Sequence, residues 1–159
     1  MVIGSVRAAA GATLMLLAAC AVAADRVETL PPAVQDAGAV VDAFHSALRR
    51  GDARAASALL AEDALIFEEG RAERSKAEYA LHHLAADAEY SQAVPGETLR
   101  RRGDAAGDMA WVATEGRTRG RYRDTEINQV TDETMVLRRI SGAWKIVHIH
   151  WSSAQSSTE

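Results

Sequence analysis

The chain has 159 residues, which is enough for one well-packed domain but few for two, because buried cores favour units of about 100–150 residues. Its 48% apolar and 25% charged residues, without a low-complexity tract, are typical of a globular protein and exclude extensive disorder. A formal net charge of −4 argues against nucleic acid as a partner.

Residues 1–24 have the features of a signal peptide. Arg7 is their only charged side chain, and the apolar run over residues 8–17 is shorter than the about 20 residues that a membrane span needs. Small residues follow the run, as a signal peptidase requires. The alternative, a buried N-terminal helix, lacks the apolar periodicity of a docking face. We therefore expect an exported protein.

The only cysteine, Cys20, ends a Leu-Ala-Ala-Cys motif that resembles the lipobox of bacterial lipoproteins. In a lipobox, cleavage precedes the cysteine, which then carries the lipid. A lone cysteine has no intrachain disulfide partner, so lipidation or removal with the signal peptide would explain it. The Ala-Val-Ala sequence at residues 21–23 offers ordinary cleavage as the alternative. The expected location is the periplasm, or a membrane to which lipid on Cys20 attaches the protein.

A linker over residues 25–32 precedes two predicted helices. The Pro-Pro pair at residues 31–32 can open the first, because proline lacks the amide hydrogen that a first helical turn leaves unbonded. Apolar residues then recur at helical spacing as far as Leu48, and Gly51 ends this helix. Asp52 is a favourable N-cap for the second helix.

A strand over residues 64–68 and a third helix are predicted next. Ser75 and Glu78 form a capping box, in which each side chain accepts a hydrogen bond from an amide at the helix start. The Pro-Gly pair at residues 95–96 ends this helix. One of its faces carries Tyr79, His83 and Tyr90.

Four antiparallel strands are predicted after the third helix. They cover residues 98–102, 109–117, 129–139 and 143–152, with turns at Gly103-Asp104, within 120–125 and at 141–142. Helices first and a meander last is the order of an α+β domain, in which the helices gather on one face of the sheet.

The closing hairpin resembles that of a known superfamily. It reads Glu-Thr-Met-Val at residues 133–136 and Trp-Lys-Ile-Val-His-Ile-His-Trp-Ser at residues 144–152. These residues are similar to the pattern E-T-x-V, turn, W-x-I-V-H-x-H-x-S of the SnoaL-like and kinase-association-domain branch of the nuclear transport factor 2-like superfamily. The resemblance implies a cone-shaped, curved antiparallel sheet with three N-terminal helices packed on its concave side. It covers residues 33–153 and leaves a C-terminal tail over residues 154–159.

Strand alternation predicts which side chains of the hairpin share a face. If residues 141–142 form a two-residue turn, Met135 pairs with His148 and Glu133 with His150 on one face. By resemblance, this face and the third helix enclose a cavity, whereas His45 and His82 lie off it. The expected ligand-binding residues are Tyr79, His83, Tyr90, Trp111, Glu133, Met135, His148 and His150. The alternative is that the histidines are structural residues with satisfied hydrogen bonds.

No cofactor is expected, and a metal site is a minority possibility. Its ligands would be His83, His148, His150 and Glu133. Strand residues two apart lie about 6.5–7 Å apart along the backbone, so both strand histidines would have to lean inward. The absence of an arginine at Met135, where relatives in this branch often have one, argues against an anionic ligand there.

Three functions remain open, because the superfamily includes isomerases, cyclases, dehydratases and domains that only bind or assemble. The first is an exported domain that binds a small ligand without an assignable reaction. The second is an isomerase, cyclase or dehydratase that uses a pocket histidine or carboxylate for proton transfer. The third is an assembly module. A roomy cavity with a carboxylate hydrogen-bonded to a histidine at its floor would favour the second.

A homodimer that forms through the sheet is also expected. In the predicted register, one face of the closing hairpin carries Val136, Val147, Ile149 and Trp151. So many large apolar side chains on one exposed face usually mark an interface.

Overall fold

A computed structural model describes residues 29–156 of the chain. The predicted signal peptide with Cys20, the first four residues of the linker and the last three residues of the tail lie outside these described residues. Within the described part, no helix is both long enough and apolar enough to cross a membrane.

Residues 29–156 form four α-helices, of which the second and third start at the predicted caps. They are α1 (Gln35–Arg49), α2 (Ala53–Leu59), α3 (Lys76–His82) and α4 (Leu84–Ala93), and a 3₁₀ turn at Pro32–Val34 precedes α1. The side chain of Asp52 accepts a hydrogen bond from the Ala55 amide, and that of Ser75 accepts one from the Glu78 amide. The predicted third helix is divided between α3 and α4, because the backbone leaves helical geometry at His83.

The same residues form one sheet of six strands. They are β1 (Leu60–Glu68), β2 (Arg71–Glu73), β3 (Gly96–Ala106), β4 (Met109–Tyr122), β5 (Thr125–Ile140) and β6 (Ala143–Gln155). Their order across the sheet is β2-β1-β6-β5-β4-β3. The neighbours are antiparallel except β1 and β6, which run parallel and make the sheet mixed. The α+β fold class is confirmed.

The predicted turn at Gly103-Asp104 is wrong, because β3 continues through it to Ala106. The chain turns instead at Gly107, which has a φ of +59°. Gly103 is needed inside the strand, since a Cβ there would lie 2.6 Å from the carbonyl oxygen of Trp111.

The closing hairpin begins as predicted and then departs from the predicted register. Ile140 pairs with Ala143 across a two-residue turn in which both central residues have positive φ, the geometry that matches strand twist. Leu137 still lies opposite Ile146, but the next pair is Val136 with His148. Val147 is therefore the extra residue of a β-bulge.

The bulge reverses the faces of β6 beyond it. Met135 pairs with Ile149 and Glu133 with Trp151, so the predicted pairs of Met135 with His148 and Glu133 with His150 are wrong. Side chains alternate with a period of two, and one unpaired residue shifts every later side chain to the opposite face. The structure thus buries Ile149 fully and keeps the hairpin's histidine rings out of the apolar core.

Helix α1 packs on the face of the sheet that bears Met135 and Glu133; we call it the concave face and the opposite one the convex face. The buried core between them contains Val41, Phe44, Leu48, Ile66, Met135, Leu137, Ile146 and Ile149. Along β5, this apolar surface ends at Glu133, and Thr131 and Gln129 follow on the same face. One half of the concave face is therefore apolar core beneath α1, and the other half is polar.

Candidate functional site

A cavity of about 690 Å³ lies over the polar half of the concave face, between the sheet, α1 and α4. Its volume falls in the range of about 300–1,000 Å³ that is usual for small-molecule sites. The lining includes eight acidic side chains, four arginines and the histidines His45 and His83. The cavity thus has the size of a ligand site and a surface dense in ionisable groups.

One row of six side chains crosses the whole sheet along the floor of this cavity. Consecutive strand pairings place the following residues side by side: Arg71, Glu68, Trp151, Glu133, Thr114 and Arg101. All six line the cavity. We call them the floor row. Neighbouring strands lie about 4.8 Å apart, so Glu68 and Glu133 are about 10 Å apart at the backbone, with Trp151 between them.

Glu133 is the most buried carboxylate of the floor row, with 9% of its side chain exposed. Its Oε2 accepts hydrogen bonds from Trp151 Nε1 at 2.7 Å and from His45 Nε2 at 2.8 Å. Burial alone would raise the pKa of Glu133, but His45, the Trp151 hydrogen bond and the charge of Arg101 together lower it. Glu133 is therefore held as a carboxylate.

Helix α1 carries His45 over the floor row and supports it with a second polar contact. Asp42 and His45 lie one helical turn apart, on the side of α1 that faces the cavity. Asp42 accepts a hydrogen bond from Arg101 Nη1 at 2.6 Å. Because Nε2 of His45 donates to Glu133, a neutral ring has its lone pair at Nδ1, and no hydrogen bond within residues 29–156 reaches that atom.

A second group of ionisable side chains lies at the β1 end of the floor row, around His83. Nδ1 of His83 contacts the buried carboxylate of Glu73, and Arg71 Nη1 donates to Nε2 at 3.4 Å. With a donor at Nε2, a neutral His83 ring carries its proton on Nδ1, towards Glu73. The break between α3 and α4 positions the ring, since His83 is the residue that both helices share as a cap.

Burial and mutual repulsion raise the pKa values of two carboxyl groups here, Glu68 and Asp87. Burial, with the charges of Asp87 and Glu69, raises the pKa of Glu68 to about 7, and His83 opposes the rise. Burial also raises the pKa of Asp87, although hydrogen bonding from Tyr79 works against it. The Tyr79 hydroxyl donates to Asp87 Oδ2 at 2.6 Å, and burial raises the pKa of Tyr79, so this tyrosine keeps its proton.

The predicted site residues fall into three locations. His83, Tyr90 and Glu133 line the cavity. Tyr79 and Met135 are fully buried in the core beside it. Trp111, His148 and His150 lie on the opposite, convex face, because Trp111 pairs with Val136 and the bulge turns both histidines outward.

The possible metal ligands do not converge. His83 and Glu133 line the cavity, whereas His148 and His150 lie on the other face of the sheet. In the part of the chain that the structure describes, no group of three or more His, Cys, Asp or Glu side chains is arranged to hold a metal ion.

Several cavity residues were not predicted from the sequence. They are Asp42, His45, Glu68, Asp87, Arg101 and Thr114. Three of them have a sequence signal: Asp42 and His45 recur at helical spacing beside the apolar stripe of α1, and Glu68 continues the inward alternation of Ala64 and Ile66. Arg101 and Thr114 are identified only by the strand register.

Comparisons with known proteins agree on the fold. A family model for the SnoaL-like domain matches residues 38–156. The chain is similar to a candidate ketosteroid isomerase from Shewanella frigidimarina NCIMB 400, with 35% identity over 78% of this chain and 100% of that one and a TM-score of 0.73. No curated protein matches the chain.

Two more distant structures show the fold alone. A candidate dehydratase of the NTF2-like family from Streptomyces avermitilis is 20% identical over 77% of this chain and 96% of that one, with a TM-score of 0.67. A candidate calcium/calmodulin-dependent protein kinase II association domain from Xanthomonas campestris is 17% identical over 82% and 96%, with a TM-score of 0.68.

Proposed function

Because the chain belongs to the SnoaL-like domain family, as its closing hairpin predicted, we propose from the chemistry of its cavity that it is a proton-transfer enzyme of the isomerase or dehydratase kind. His45 is the base, Glu133 orients it, and Glu68 is the acid. This is the second of the three functions that the sequence leaves open.

The observation that carries the proposal is the contrast between two carboxyl groups of one floor row. The pKa of Glu133 is lowered and that of Glu68 is raised to about 7, although only one strand separates them. Environments that push two pKa values apart let one site hold an ionised carboxylate, here the partner of the base His45, and a protonated acid at the same pH. The cavity also contains the carboxylate–histidine hydrogen bond expected of such an enzyme.

The proposed reaction begins at a carbon next to a carbonyl group. Nδ1 of His45 takes the proton of that carbon, and the electrons of the C–H bond form a carbon–carbon double bond. Glu68 gives its proton to the oxygen on which negative charge develops. In isomerisation that oxygen is the carbonyl oxygen: its C=O π bond breaks, an enol forms, and His45 then returns the proton to a different carbon while the enol hydrogen goes back to Glu68. In dehydration that oxygen is a hydroxyl on the neighbouring carbon, whose C–O bond breaks so that it leaves as water. Glu133 stabilises the charged His45 ring throughout.

Solvent deuterium exchange tests this function without knowledge of the natural substrate. The purified protein is incubated in D₂O at neutral pD with cyclohexanone and with 2-decalone, and deuterium at the carbons next to the carbonyl is counted by mass spectrometry. We expect the wild type to accelerate exchange. His45→Gln should lower the rate by about 10²-fold or more, which is the usual contribution of a general base.

The matched control is His82→Gln, which removes an exposed histidine of α3 outside the cavity. This variant should exchange at the wild-type rate. Wild-type protein that exchanges no faster than His45→Gln with either ketone would refute the enzyme. If that protein still binds small molecules, the first function, a ligand-binding domain, replaces it.

We also propose a homodimer through the convex face, with a different surface from the one that the sequence predicted. Ile149 is fully buried and Trp151 lines the cavity, so neither belongs to an exposed patch. The convex face instead exposes 43% of Trp111 and 37% of Phe67. The Phe67 ring meets the ring of His148 edge-on, with centroids 5.2 Å apart. Large aromatic side chains exposed on one face of a sheet are typical of an interface.

A further inference from the structure

Three polar atoms at the β3 end of the floor row have no hydrogen-bond partner among the described residues. They are Glu133 Oε1, Thr114 Oγ1 and Arg101 Nε, and all three are buried. Their residues line the cavity and are neighbours across β5, β4 and β3. A buried polar atom without a partner costs about 1–3 kcal/mol, so this group marks a place where a ligand's polar atoms would be accepted.

The chemistry of the three atoms selects the ligand group. Glu133 is a carboxylate, so its Oε1 can only accept a hydrogen bond. Arg101 Nε can only donate, and the Thr114 hydroxyl can do either. A ligand oxygen that donates to Glu133 and accepts from both Arg101 and Thr114 satisfies the set, and an alcohol oxygen, with one hydrogen and two lone pairs, does so. An ether oxygen can only accept and leaves the carboxylate oxygen without a donor.

Charge argues against an anionic ligand at this end. The guanidinium of Arg101 is already paired with Asp42 at 2.6 Å, and Glu133 adds a further negative charge. The cavity as a whole has eight acidic side chains against four arginines. A carboxylate in this position would face uncompensated negative charge in a partly buried site, where screening by salt is weak.

We propose that Glu133, Thr114 and Arg101 form a subsite for the hydroxyl group of a neutral, hydroxyl-bearing organic ligand. The inference rests on the proposed proton-transfer site, since it names the class of substrate: a neutral carbonyl compound with a hydroxyl group. The hydroxyl is held at the β3 end, which directs the rest of the molecule past His45 towards Glu68.

Binding of a matched series of probes tests the subsite apart from any reaction. The series is 1-adamantanol, 1-methoxyadamantane and adamantane-1-carboxylate, which share one compact apolar body and differ in the polar group. Affinities are measured by NMR titration of the full chain. We expect 1-adamantanol to bind best, with a preference over the ether of roughly 3- to 10-fold, as one net hydrogen bond provides.

Thr114→Val is the decisive variant, because valine keeps the shape of threonine and removes the hydroxyl. It should lose roughly 3- to 10-fold in affinity for 1-adamantanol. Without ligand its thermal midpoint should equal or exceed that of the wild type, because the lost hydroxyl has no partner in the protein. The matched control is Thr131→Val on β5, which lines the same cavity outside the floor row.

Each outcome decides the inference. An unchanged affinity for 1-adamantanol in Thr114→Val, a preference for the ether or the carboxylate, or no binding of the alcohol up to its solubility would overturn the subsite. Deuterium exchange without this hydroxyl preference would remove the subsite and leave the enzyme. The hydroxyl preference without exchange would leave the subsite in a binding domain.

Discussion

Replacing Glu133 by glutamine removes the buried negative charge that accepts hydrogen bonds from His45 and Trp151. The side chain accepts two charge-assisted hydrogen bonds, from His45 at 2.8 Å and from Trp151 at 2.7 Å. Bonds to a charged group are worth about 1.5–3 kcal/mol and neutral ones about 1 kcal/mol, so two such exchanges cost about 2 kcal/mol. An amide costs less to bury than a carboxylate, which offsets part of this loss. We expect Glu133→Gln to be about 1–2 kcal/mol less stable at pH 7, with a thermal midpoint about 3–8 °C lower.

The deficit should depend on pH with a definite sign. The pKa of Glu133 is lower in the folded state than its ordinary value of 4.5, so the ionised group stabilises the fold fully above pH 4.5. That stability is lost as the pH falls through the folded pKa. Glutamine does not titrate, so wild type and variant should converge in acid.

Urea denaturation at a series of pH values from 7 to 3 measures both effects. Glu115→Gln is the matched control, since it removes a carboxylate of β4 whose side chain is 58% exposed and lies 3.7 Å from Arg100. An exposed pair of this kind contributes little, so the control should stay within about 0.5 kcal/mol of the wild type. A Glu133→Gln protein as stable as the wild type at pH 7, or a stability deficit that persists unchanged to pH 3, would refute the ionised state of Glu133 beside His45.

Three further predictions use other parts of the molecule. The pKa of Glu68 is raised to about 7 from 4.5, so the wild type loses stability as the pH rises through that range. In the same urea assay, the free energy of unfolding of Glu68→Gln should therefore rise relative to that of the wild type between pH 5 and 8. The same pH dependence in both proteins would contradict the raised pKa. Trp111→Glu should convert a dimer to a monomer in light scattering at micromolar concentration, whereas Leu81→Glu, at a site 79% exposed on α3, should not; a wild-type monomer would exclude the convex-face dimer. For the leader, Cys20→Ser should release a membrane-bound protein into the soluble fraction, and wild-type protein that is soluble and begins at Ala24 or Asp25 would exclude the lipid anchor.

The sequence predicted the elements well, because their signals are local. The caps at Asp52 and Ser75 and the turn at residues 141–142 depend on a few adjacent residues, and all three are confirmed. The division of the third helix at His83 was not predictable in this way. It accompanies the contact between His83 and Glu73, a residue of β2 that only the tertiary fold brings near.

The site was predicted in part, and the errors have one main cause. Strand alternation is a reliable rule only while the register is unbroken, and nothing local marks Val147 as the residue that breaks it. From there outward, the rule exchanged the inward Ile149 and Trp151 for the outward His148 and His150. The buried side chains of Trp144, Ile146 and Ile149 show that the period-two alternation of β6 is interrupted between the last two.

The position of His45 in the cavity is not predictable from the sequence for a different reason. Its neighbour Phe44 belongs to the buried stripe of α1, and helical spacing places His45 and Asp42 beside that stripe without indicating what they face. Its role depends on Glu133, which is 88 positions later in the chain. A pair so distant in sequence is established only by the packing of α1 on the sheet.

The bulge at Val147 affects how chemistry is inherited among relatives of this chain. Two homologues can have the same sequence motif in the closing hairpin and differ only in whether one residue is left unpaired between β5 and β6. A sequence alignment would then match an outward histidine of one protein to a cavity residue of the other. An active site transferred on that basis would consist of groups on opposite faces of the sheet. Within this family, the position of the bulge has to be compared before any residue role is transferred, and gain or loss of a single residue there is a one-step route to a different cavity surface on an unchanged fold.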